Sequence, residues 1–278
     1  MDIYESVVKF YESVKTEKAV IGRSVFGRNI FAVKAGEGSP VGIAQYAIHG
    51  REFITAKLAF FQYAAGLKKG SCWFVPLTDP DGAMLSEVGL DSVERACERE
   101  KLLLLNGGKT DFSLWKANGR GVDLNVNFDA EWGKGVKNIL TPGAENYIGE
   151  KPFSEPETQA LKGFTERINP DYTVSYHTKG EEIYWYFYQP LRFCARDKRL
   201  AEALVAETGY SVAYAKGSAG GYKDWCIKRF GIPSFTIEAG NDGLEHPIGD
   251  EGLADILAHN RYAIYALSGN VPPAFRWT

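Results

Sequence analysis

His49 and Glu52 lie three residues apart, and both side-chain types bind divalent metal ions. A catalytic zinc site needs three protein ligands of the histidine and carboxylate type and one position that stays open for water. His177, far along the chain, is the third candidate ligand. A His-x-x-Glu spacing on its own is weak, because most such strings lie in surface turns. Together with the distant histidine, it predicts a hydrolytic zinc site that the fold assembles from separate segments.

Each candidate residue follows or ends a predicted strand. These strands are residues 41–48, 171–176 and 232–238. The first precedes His49, the second precedes His177 and the third ends in Glu238. Ligands of open α/β sheets bind outside the carboxyl ends of the strands, and a carboxylate that ends an apolar strand costs desolvation energy unless it has a partner. We therefore expect these three side chains to meet at one edge of the sheet.

Strands alternate with helices along the chain. The predicted helices are residues 2–17, 53–68, 86–104, 154–168, 194–208, 220–230 and 250–268, and the further strands are residues 23–34, 71–76, 121–125, 183–187 and 211–214. This alternation predicts an α/β fold with a mostly parallel sheet covered on both faces, and early hairpin-like segments predict an antiparallel part. We expect a single domain, residues 1–278, that is an α/β/α sandwich around a mixed, mostly parallel twisted sheet.

The composition excludes several classes of partner. The 278 residues are 45% hydrophobic and carry a net charge of −3 without a long charged run, which disfavours nucleic acid and anionic membranes. The first residues include acids and lack the pattern of a secretory signal, and no run of about 18 apolar residues is present. We expect a cytoplasmic protein that acts on a small peptide, and the sequence leaves its oligomeric state open.

Four motifs resemble the zinc carboxypeptidase (M14) family in their order and spacing. They are His49-x-x-Glu52, Gly-Val-Asp-Leu-Asn at 121–125, Ser-Tyr-His at 175–177 and Phe-Thr-Ile-Glu at 235–238. Residues 22–28 and the loop 76–82 are similar to two family turns, although Asp79 stands where the family has asparagine. The resemblance covers roughly residues 20 to 240.

Other segments narrow the resemblance within that family. They are residues 146–149, 152–158, 177–185 and 220–225. These segments look most like the bacterial γ-D-glutamyl-diamino-acid peptidases, which act on the stem peptides of the cell wall. The resemblance also implies the same mixed-sheet fold.

The resemblance implies a role for each site residue. One Zn²⁺ ion is expected to be bound by His49, Glu52 and His177. The ion would polarise the scissile carbonyl and lower the pKa of its water. Glu238 would be the general base that takes the proton of that water and then delivers it to the leaving nitrogen.

Further residues near these motifs are candidates for transition-state and substrate contacts. The family carries an electrophilic arginine just before the 121–125 motif, and here Arg120 is the first candidate and Lys116 the second. Arg51 resembles an arginine that contacts substrate, but it is equally well read as a solvated residue at the start of a helix. Asp123 would orient a zinc-binding histidine or would be a buried structural acid.

The sequence departs from the family at Val126, between Asn125 and Asn127, where typical carboxypeptidases have an arginine that clamps the substrate's terminal carboxylate. An apolar side chain cannot replace a bidentate arginine contact. Three interpretations remain: another cation holds the carboxylate, the substrate has none there, or the protein is not a peptidase. Candidate substrate contacts besides Arg51 and Asn125 are Lys179, Lys216, Tyr222 and Lys223. The lysine side chains in this set favour the first two interpretations, because they could bind carboxylates of the substrate.

The favoured function is therefore a zinc metallopeptidase that cleaves an amide bond in murein peptides, with γ-D-glutamyl-diaminopimelate as the expected target. One alternative is a zinc-dependent deacylase of the aspartoacylase and succinylglutamate desuccinylase type, since His49-Gly50-Arg51-Glu52 matches its His-Gly-x-Glu pair. Another is a general metallocarboxypeptidase with a changed clamp. A zinc-free binding protein on the same fold is disfavoured because all four core residues are present.

Overall fold

The structure, a computed structural model, describes residues 1–271 and is built on one eight-stranded sheet. The strands are β1 (Lys18–Arg23), β2 (Asn29–Gly36), β3 (Val41–Tyr46), β4 (Ser71–Val75), β5 (Tyr172–His177), β6 (Glu182–Tyr184), β7 (Ser211–Ala213) and β8 (Ser234–Glu238). Their order across the sheet is β1-β2-β4-β3-β5-β8-β6-β7. Strands β4, β3, β5 and β8 are parallel, as are β6 and β7, and the other neighbouring pairs are antiparallel.

Helices cover both faces of this sheet. They are α1 (Ile3–Ser13), α2 (Ile54–Ala65), α3 (Pro80–Val88), α4 (Ala96–Leu105), α5 (Pro156–Ile168), α6 (Leu191–Thr208), α7 (Tyr222–Phe230), α8 (Asp250–Asn260) and α9 (Ala263–Asn270). Helices α2, α6, α8 and α9 pack together on one face, and α5 and α7 lie on the other. The predicted sandwich around a mixed sheet is confirmed. No helix within residues 1–271 is long and apolar enough to cross a bilayer.

Side chains along β5 alternate between the main core on one face of the sheet and polar residues on the other face. Val174 and Tyr176 are buried in the core beneath α2, α6, α8 and α9. Successive side chains of a strand point to opposite faces, so Ser175 and His177 face the other way. The parallel register of β5 and β8 sets His177 directly beside Glu238. Two candidate site residues are thus placed side by side by the sheet itself.

Some predicted elements are wrong. Residues 121–125 do not form a strand, because the Asp123 carboxylate accepts a hydrogen bond from Asn125 N at 3.1 Å and holds Leu124–Val126 in a 3₁₀ turn. The predicted strand 23–34 is a hairpin made of β1 and β2, with Gly27 at φ 87° in the turn. Periodicity alone does not show a turn between two apolar runs, whereas left-handed backbone favours glycine.

Helix boundaries also differ from the prediction. The predicted helix 86–104 is two helices, α3 and α4, because α3 starts earlier at Pro80 and ends at Val88, before Gly89 with φ 75°. The predicted helix 250–268 divides into α8 and α9 at residues 261–262.

Candidate metal centre and active site

Three buried side chains converge at the carboxyl ends of β3 and β5. His49 lies three residues after β3, and the 3₁₀ turn Gly50–Glu52 brings Glu52 back toward it. Nδ1 of His49 is 2.9 Å from Oε1 of Glu52, and Nδ1 of His177 is 2.9 Å from Oε2 of the same carboxylate. The two Nδ1 atoms are 3.1 Å apart. The strand ends therefore bring together the three residues that the sequence singled out.

This cluster fits a zinc ion. One ligand atom from each of the three residues lies within 4.8 Å of the other two, and two imidazole nitrogens with one carboxylate oxygen form a usual catalytic zinc set. No other group of three or more histidine, cysteine, aspartate or glutamate side chains converges in this way within residues 1–271. Three protein ligands also leave the fourth position of a tetrahedral site open.

The remaining ring nitrogens of the two histidines are held by neighbouring side chains. Nε2 of His49 is 3.1 Å from Oδ1 of Asp123, and Nε2 of His177 is 3.2 Å from Oγ of Ser175. Ser175 in turn accepts a hydrogen bond from Gln45. Such contacts fix the orientation of metal-binding imidazoles and leave Nδ1 to face the ion. Asp123 was expected either to orient a zinc-binding histidine or to be a buried structural acid. Its contact with the ring of His49 favours the first of these interpretations.

The charges of the site favour a cation. Burial alone would raise the pKa of Glu52, but the imidazoles of His49 and His177 lower it well below its ordinary value. Burial would likewise lower the pKa of His49, but the charge of Glu52 raises it overall. The Glu52 carboxylate is therefore ionised, and its negative charge favours a cation between the rings of His49 and His177.

Glu238 lies at the end of β8, half-buried, and faces the same cavity. Burial raises the pKa of Glu238 to about 7, and the charge of Glu52 adds to this effect while His177 opposes it. A carboxyl group whose pKa lies near neutrality can both accept and return a proton, which is the requirement for general acid–base catalysis.

Lys116, and not Arg120, is the basic residue that lies at this site. Nζ of Lys116 is 2.8 Å from Oδ2 of Asp123, and its side chain lines the cavity. Burial alone would lower the pKa of Lys116, but the Asp123 carboxylate raises it, so the ammonium group stays charged. Arg120 is 56% exposed, lies 3.7 Å from Glu155 and does not line the cavity. The first candidate, Arg120, therefore lies away from the site, and the second candidate, Lys116, lies at it.

The cavity in front of these residues has a volume of about 350 Å³. Several residues with an expected substrate contact line it: Arg51, Asn125, Lys216 and Lys223. Val126 lines it as well, so the position of the missing arginine does face the substrate space. Arg51 lies 3.6 Å from Glu145.

Two expected substrate contacts are not at the cavity. Tyr222 is buried in the core and its hydroxyl pairs with Thr165 Oγ1 at 2.9 Å, because the first turn of α7 packs inward. Lys179 donates to the backbone oxygen of Asp242 instead of facing the cavity. Both expectations are corrected on these grounds.

Two residues near the site, Lys137 and His246, were missed by sequence reasoning, whereas Tyr184 lies in the segment 177–185 that the resemblance had singled out. Lys137 and Tyr184 line the cavity from a loop and from β6. His246 places Nε2 2.9 Å from Oγ1 of Thr178, the residue after His177. Neither Lys137 nor His246 falls in a segment that the sequence analysis singled out. Only the approach of distant loops brings these two residues to the site, so no local pattern in the sequence marks them.

Comparison with known proteins identifies the family to which this chain is related. The model of the Zinc carboxypeptidase family, Peptidase_M14, matches residues 7–252. The chain is 32% identical over 251 residues to the γ-D-glutamyl-L-diamino acid endopeptidase 1 of Lysinibacillus sphaericus, covering 83% of this chain and 62% of that protein. It is 36% identical over 125 residues to murein peptide amidase A of Escherichia coli K12, covering 40% of this chain and 46% of that protein. The chain thus spans less than two thirds of the length of these relatives.

Solved structures share the fold. Bovine thrombin-activatable fibrinolysis inhibitor, solved with a tick carboxypeptidase inhibitor, superposes with a TM-score of 0.78 at 18% identity and covers 98% of this chain and 97% of its own. The murein-tripeptide amidase of Escherichia coli O157 gives a TM-score of 0.62 at 23% identity and covers 96% and 97% of the two chains. With the family match, the converging zinc ligands and the shared fold, this chain belongs to the zinc carboxypeptidase family of zinc-dependent hydrolases.

Proposed function

We propose that this protein is a zinc metallopeptidase that hydrolyses an amide bond in murein-derived peptides, with γ-D-glutamyl-diaminopimelate as its target. The observation that carries the proposal is that the three zinc ligands, Glu238 and Lys116 converge on one cavity. Basic side chains line the same cavity, but position 126 is valine instead of the arginine that would clamp a terminal carboxylate. Zinc held by the three ligands would supply a Lewis acid that polarises a carbonyl group and lowers the pKa of water.

Two residues of this protein take part directly in the proposed reaction: Glu238 transfers a proton, and Lys116 stabilises negative charge on the carbonyl oxygen. Glu238 accepts a proton from the attacking water and then delivers it to the nitrogen of the leaving amine. Lys116 donates a hydrogen bond to the carbonyl oxygen as negative charge develops on it. Asp123 holds the ammonium group of Lys116 and the ring of His49 in place, so that the donor and the metal ligand share one buried anchor.

The charges around the cavity support a substrate with extra carboxylates. Lys116 is paired with Asp123, and Lys223 with Asp224. Lys137 and Lys216, both exposed at the mouth of the cavity, have no carboxylate partner within 4.0 Å among residues 1–271. Two unpaired ammonium groups in front of a zinc site favour anionic peptides over neutral ones.

Val126 supports the same class of substrate. An apolar side chain at this position cannot clamp a terminal carboxylate, so the anionic groups of the substrate would be met by the unpaired Lys137 and Lys216 instead. Diaminopimelate carries two carboxylates and γ-D-glutamate one more, which suits cations spread around a cavity. The names of two relatives, a γ-D-glutamyl-L-diamino acid endopeptidase and a murein peptide amidase, agree with this assignment.

The test is mass spectrometry of products after zinc-loaded protein is incubated with L-Ala-γ-D-Glu-meso-diaminopimelate or with an ordinary peptide that ends in a hydrophobic residue. Release of diaminopimelate from the first peptide alone is the expected result. Trimming of the ordinary peptide would instead identify a general carboxypeptidase with a changed clamp. If zinc-loaded protein cleaves neither, the proposal is wrong, and N-acylated amino acids become the substrates to test for a deacylase.

A further inference from the structure

A second groove lies next to the active-site cavity. Its volume is about 590 Å³, and Phe187, Tyr188 and Pro190 form its aromatic and apolar side. Residues 217–219 line both the groove and the cavity, so this one segment separates them. The groove has no part in the reaction described above, yet a ligand in the cavity has only a short path to it.

The segment that separates the two spaces, here called the ridge, is exposed. Residues 215–218 are exposed, whereas Ala219 is buried beneath them. The backbone nitrogen of Val136 donates to the oxygen of Gly217 at 2.9 Å, which joins the ridge to the loop that carries Val136. A hypothetical Cβ at Gly217 would lie 2.8 Å from a methyl group of Val136, so the two loops touch closely. An extended peptide can therefore pass between the two spaces along the exposed residues of this ridge.

The groove combines an aromatic wall with a positive rim. Tyr188 is 75% exposed and packs against Phe187 with ring centroids 5.2 Å apart. Lys134 and Lys228 both pair with the single carboxylate of Glu131, which leaves one net positive charge. An exposed ring beside surplus positive charge suits a short peptide end that presents a small apolar side chain and a carboxylate.

Val126 lines the cavity next to the segment that separates it from this groove. A clamp arginine at that position would hold the terminal carboxylate of the released residue and so end the substrate there. With valine there, the released amino component can continue toward residues 217–219. The backbone of Val126 itself is held against Gly220, where an added Cβ would meet its oxygen at 2.7 Å.

We propose that this groove binds the continuation of the peptide on the leaving-group side, one or more residues beyond the residue whose nitrogen is released. This inference rests on the proposed peptidase function and extends it, because it assigns a substrate longer than the released amino acid. The continuation crosses the ridge at residues 217–219, packs its side chain on Tyr188 and places its carboxylate near Lys134 and Lys228.

The experiment compares three peptides with the zinc-loaded protein. The first is L-Ala-γ-D-Glu-meso-diaminopimelate, the second carries one additional D-Ala on its carboxyl end, and the third carries one additional residue on its amino end. The expected result is that kcat/KM for the second peptide at least equals that for the first. In Tyr188→Ser, kcat/KM for the second peptide falls about 5-fold through KM, as loss of one aromatic contact implies, while the value for the first peptide is unchanged.

Tyr262→Ser is the matched control, since Tyr262 is an exposed tyrosine, 48% accessible, that lines neither space. It should leave all three peptides unaffected. Replacing the carboxylate of the second peptide with an amide should raise its KM in wild type by a similar factor, and Lys228→Gln should remove that difference.

The outcomes separate the two levels of the proposal. If the first peptide is not cleaved by zinc-loaded wild type, the proposed function fails. If the first peptide is cleaved but the second is cleaved poorly, or Tyr188→Ser affects both equally, only the groove assignment is overturned. A selective effect of Tyr188→Ser on the third peptide would assign the groove to the acyl side and would likewise refute the proposal.

Discussion

The ammonium nitrogen of Lys116 lies 2.8 Å from Oδ2 of Asp123 in the interior of the protein. Burial alone would raise the pKa of Asp123, but the charge of Lys116 holds this pKa far below its ordinary value. The other oxygen of the same carboxylate contacts the ring of His49. One buried acid therefore sets the position of a metal ligand and of the cation that faces the substrate.

Lys116→Met is expected to reduce kcat about 100-fold, the usual effect of removing one donor to a developing oxyanion. Lys116→Arg should retain part of the activity because it keeps the charge. Zinc content and melting temperature, measured beside steady-state kinetics, separate catalysis from folding, since the Asp123 charge is left unpaired in the first variant. Arg120→Met is the control, and a loss of activity there as large as in Lys116→Met would restore Arg120 as the donor.

Glu238→Gln is expected to retain zinc and to lower kcat by about 10³-fold, because glutamine cannot accept the proton of water. Zinc is measured by atomic absorption and turnover by product release. Glu245→Gln, at an exposed position in the loop that follows, serves as control. Undiminished turnover in the first variant would remove Glu238 from the mechanism.

Val126→Arg is expected to lower KM about 10-fold for peptides whose released residue carries a free α-carboxylate, since a new charge-assisted contact contributes about 1.4 kcal/mol. The same substitution should raise KM for peptides that continue beyond that residue. Val126→Met, which adds length without charge, is the matched variant. An unchanged KM for both kinds of peptide would show that position 126 does not face the bound carboxyl end.

Asp79→Asn is expected to stabilise the protein by about 1–3 kcal/mol at pH 8, because asparagine removes the cost of burying a carboxyl group that is ionised in the unfolded chain. Asp79 is buried, its Oδ2 has no hydrogen-bond partner within residues 1–271, and its Oδ1 accepts from Gly82 N at 2.9 Å, a bond that asparagine can keep. The pKa of Asp79 lies well above its ordinary value. Burial is the main cause, and the charge of Glu157 is the second.

The sign of the pH dependence follows from that shift. A carboxyl group whose pKa is raised on folding binds more protons in the folded state, so its contribution is present at low pH and is lost as the pH rises through the folded-state pKa. Burial also raises the pKa of Glu157 to about 8. Thermal unfolding of wild type and Asp79→Asn at pH 5.5 and pH 8 should show the larger gain at pH 8. Asp91→Asn, at an exposed site, should show no such difference.

The zinc ligands and Glu238 could be predicted from the sequence because strand ends are visible as the points where apolar runs stop. The choice between Lys116 and Arg120 could not, because the intervening segment is a loop without periodicity. Lys116 is fixed by long-range contacts: its backbone oxygen accepts from Gly50 N at 3.0 Å, and its backbone nitrogen donates to Ala144 O at 3.0 Å. No local pattern encodes these partners.

Tyr222 illustrates the same limit at a helix. Its position beside Gly221 and Lys223 suggested a residue of the cavity, and both neighbours do line it. Successive helical residues point about 100° apart, so a motif that reaches the cavity still sends some of its members into the core. The sequence identified the segment correctly but could not assign the inward direction to Tyr222.

The β5–β8 register has a consequence for how this protein could be redesigned. The spacing of His177 and Glu238 is maintained by ladder hydrogen bonds, including Ala239 N to His177 O at 2.8 Å, whereas the rim residues Lys137 and Lys216 lie on loops. Chemistry and selectivity are thus encoded in separable stretches of chain. Grafting other rim loops onto this sheet would retarget the hydrolase to new peptides without altering its affinity for the metal.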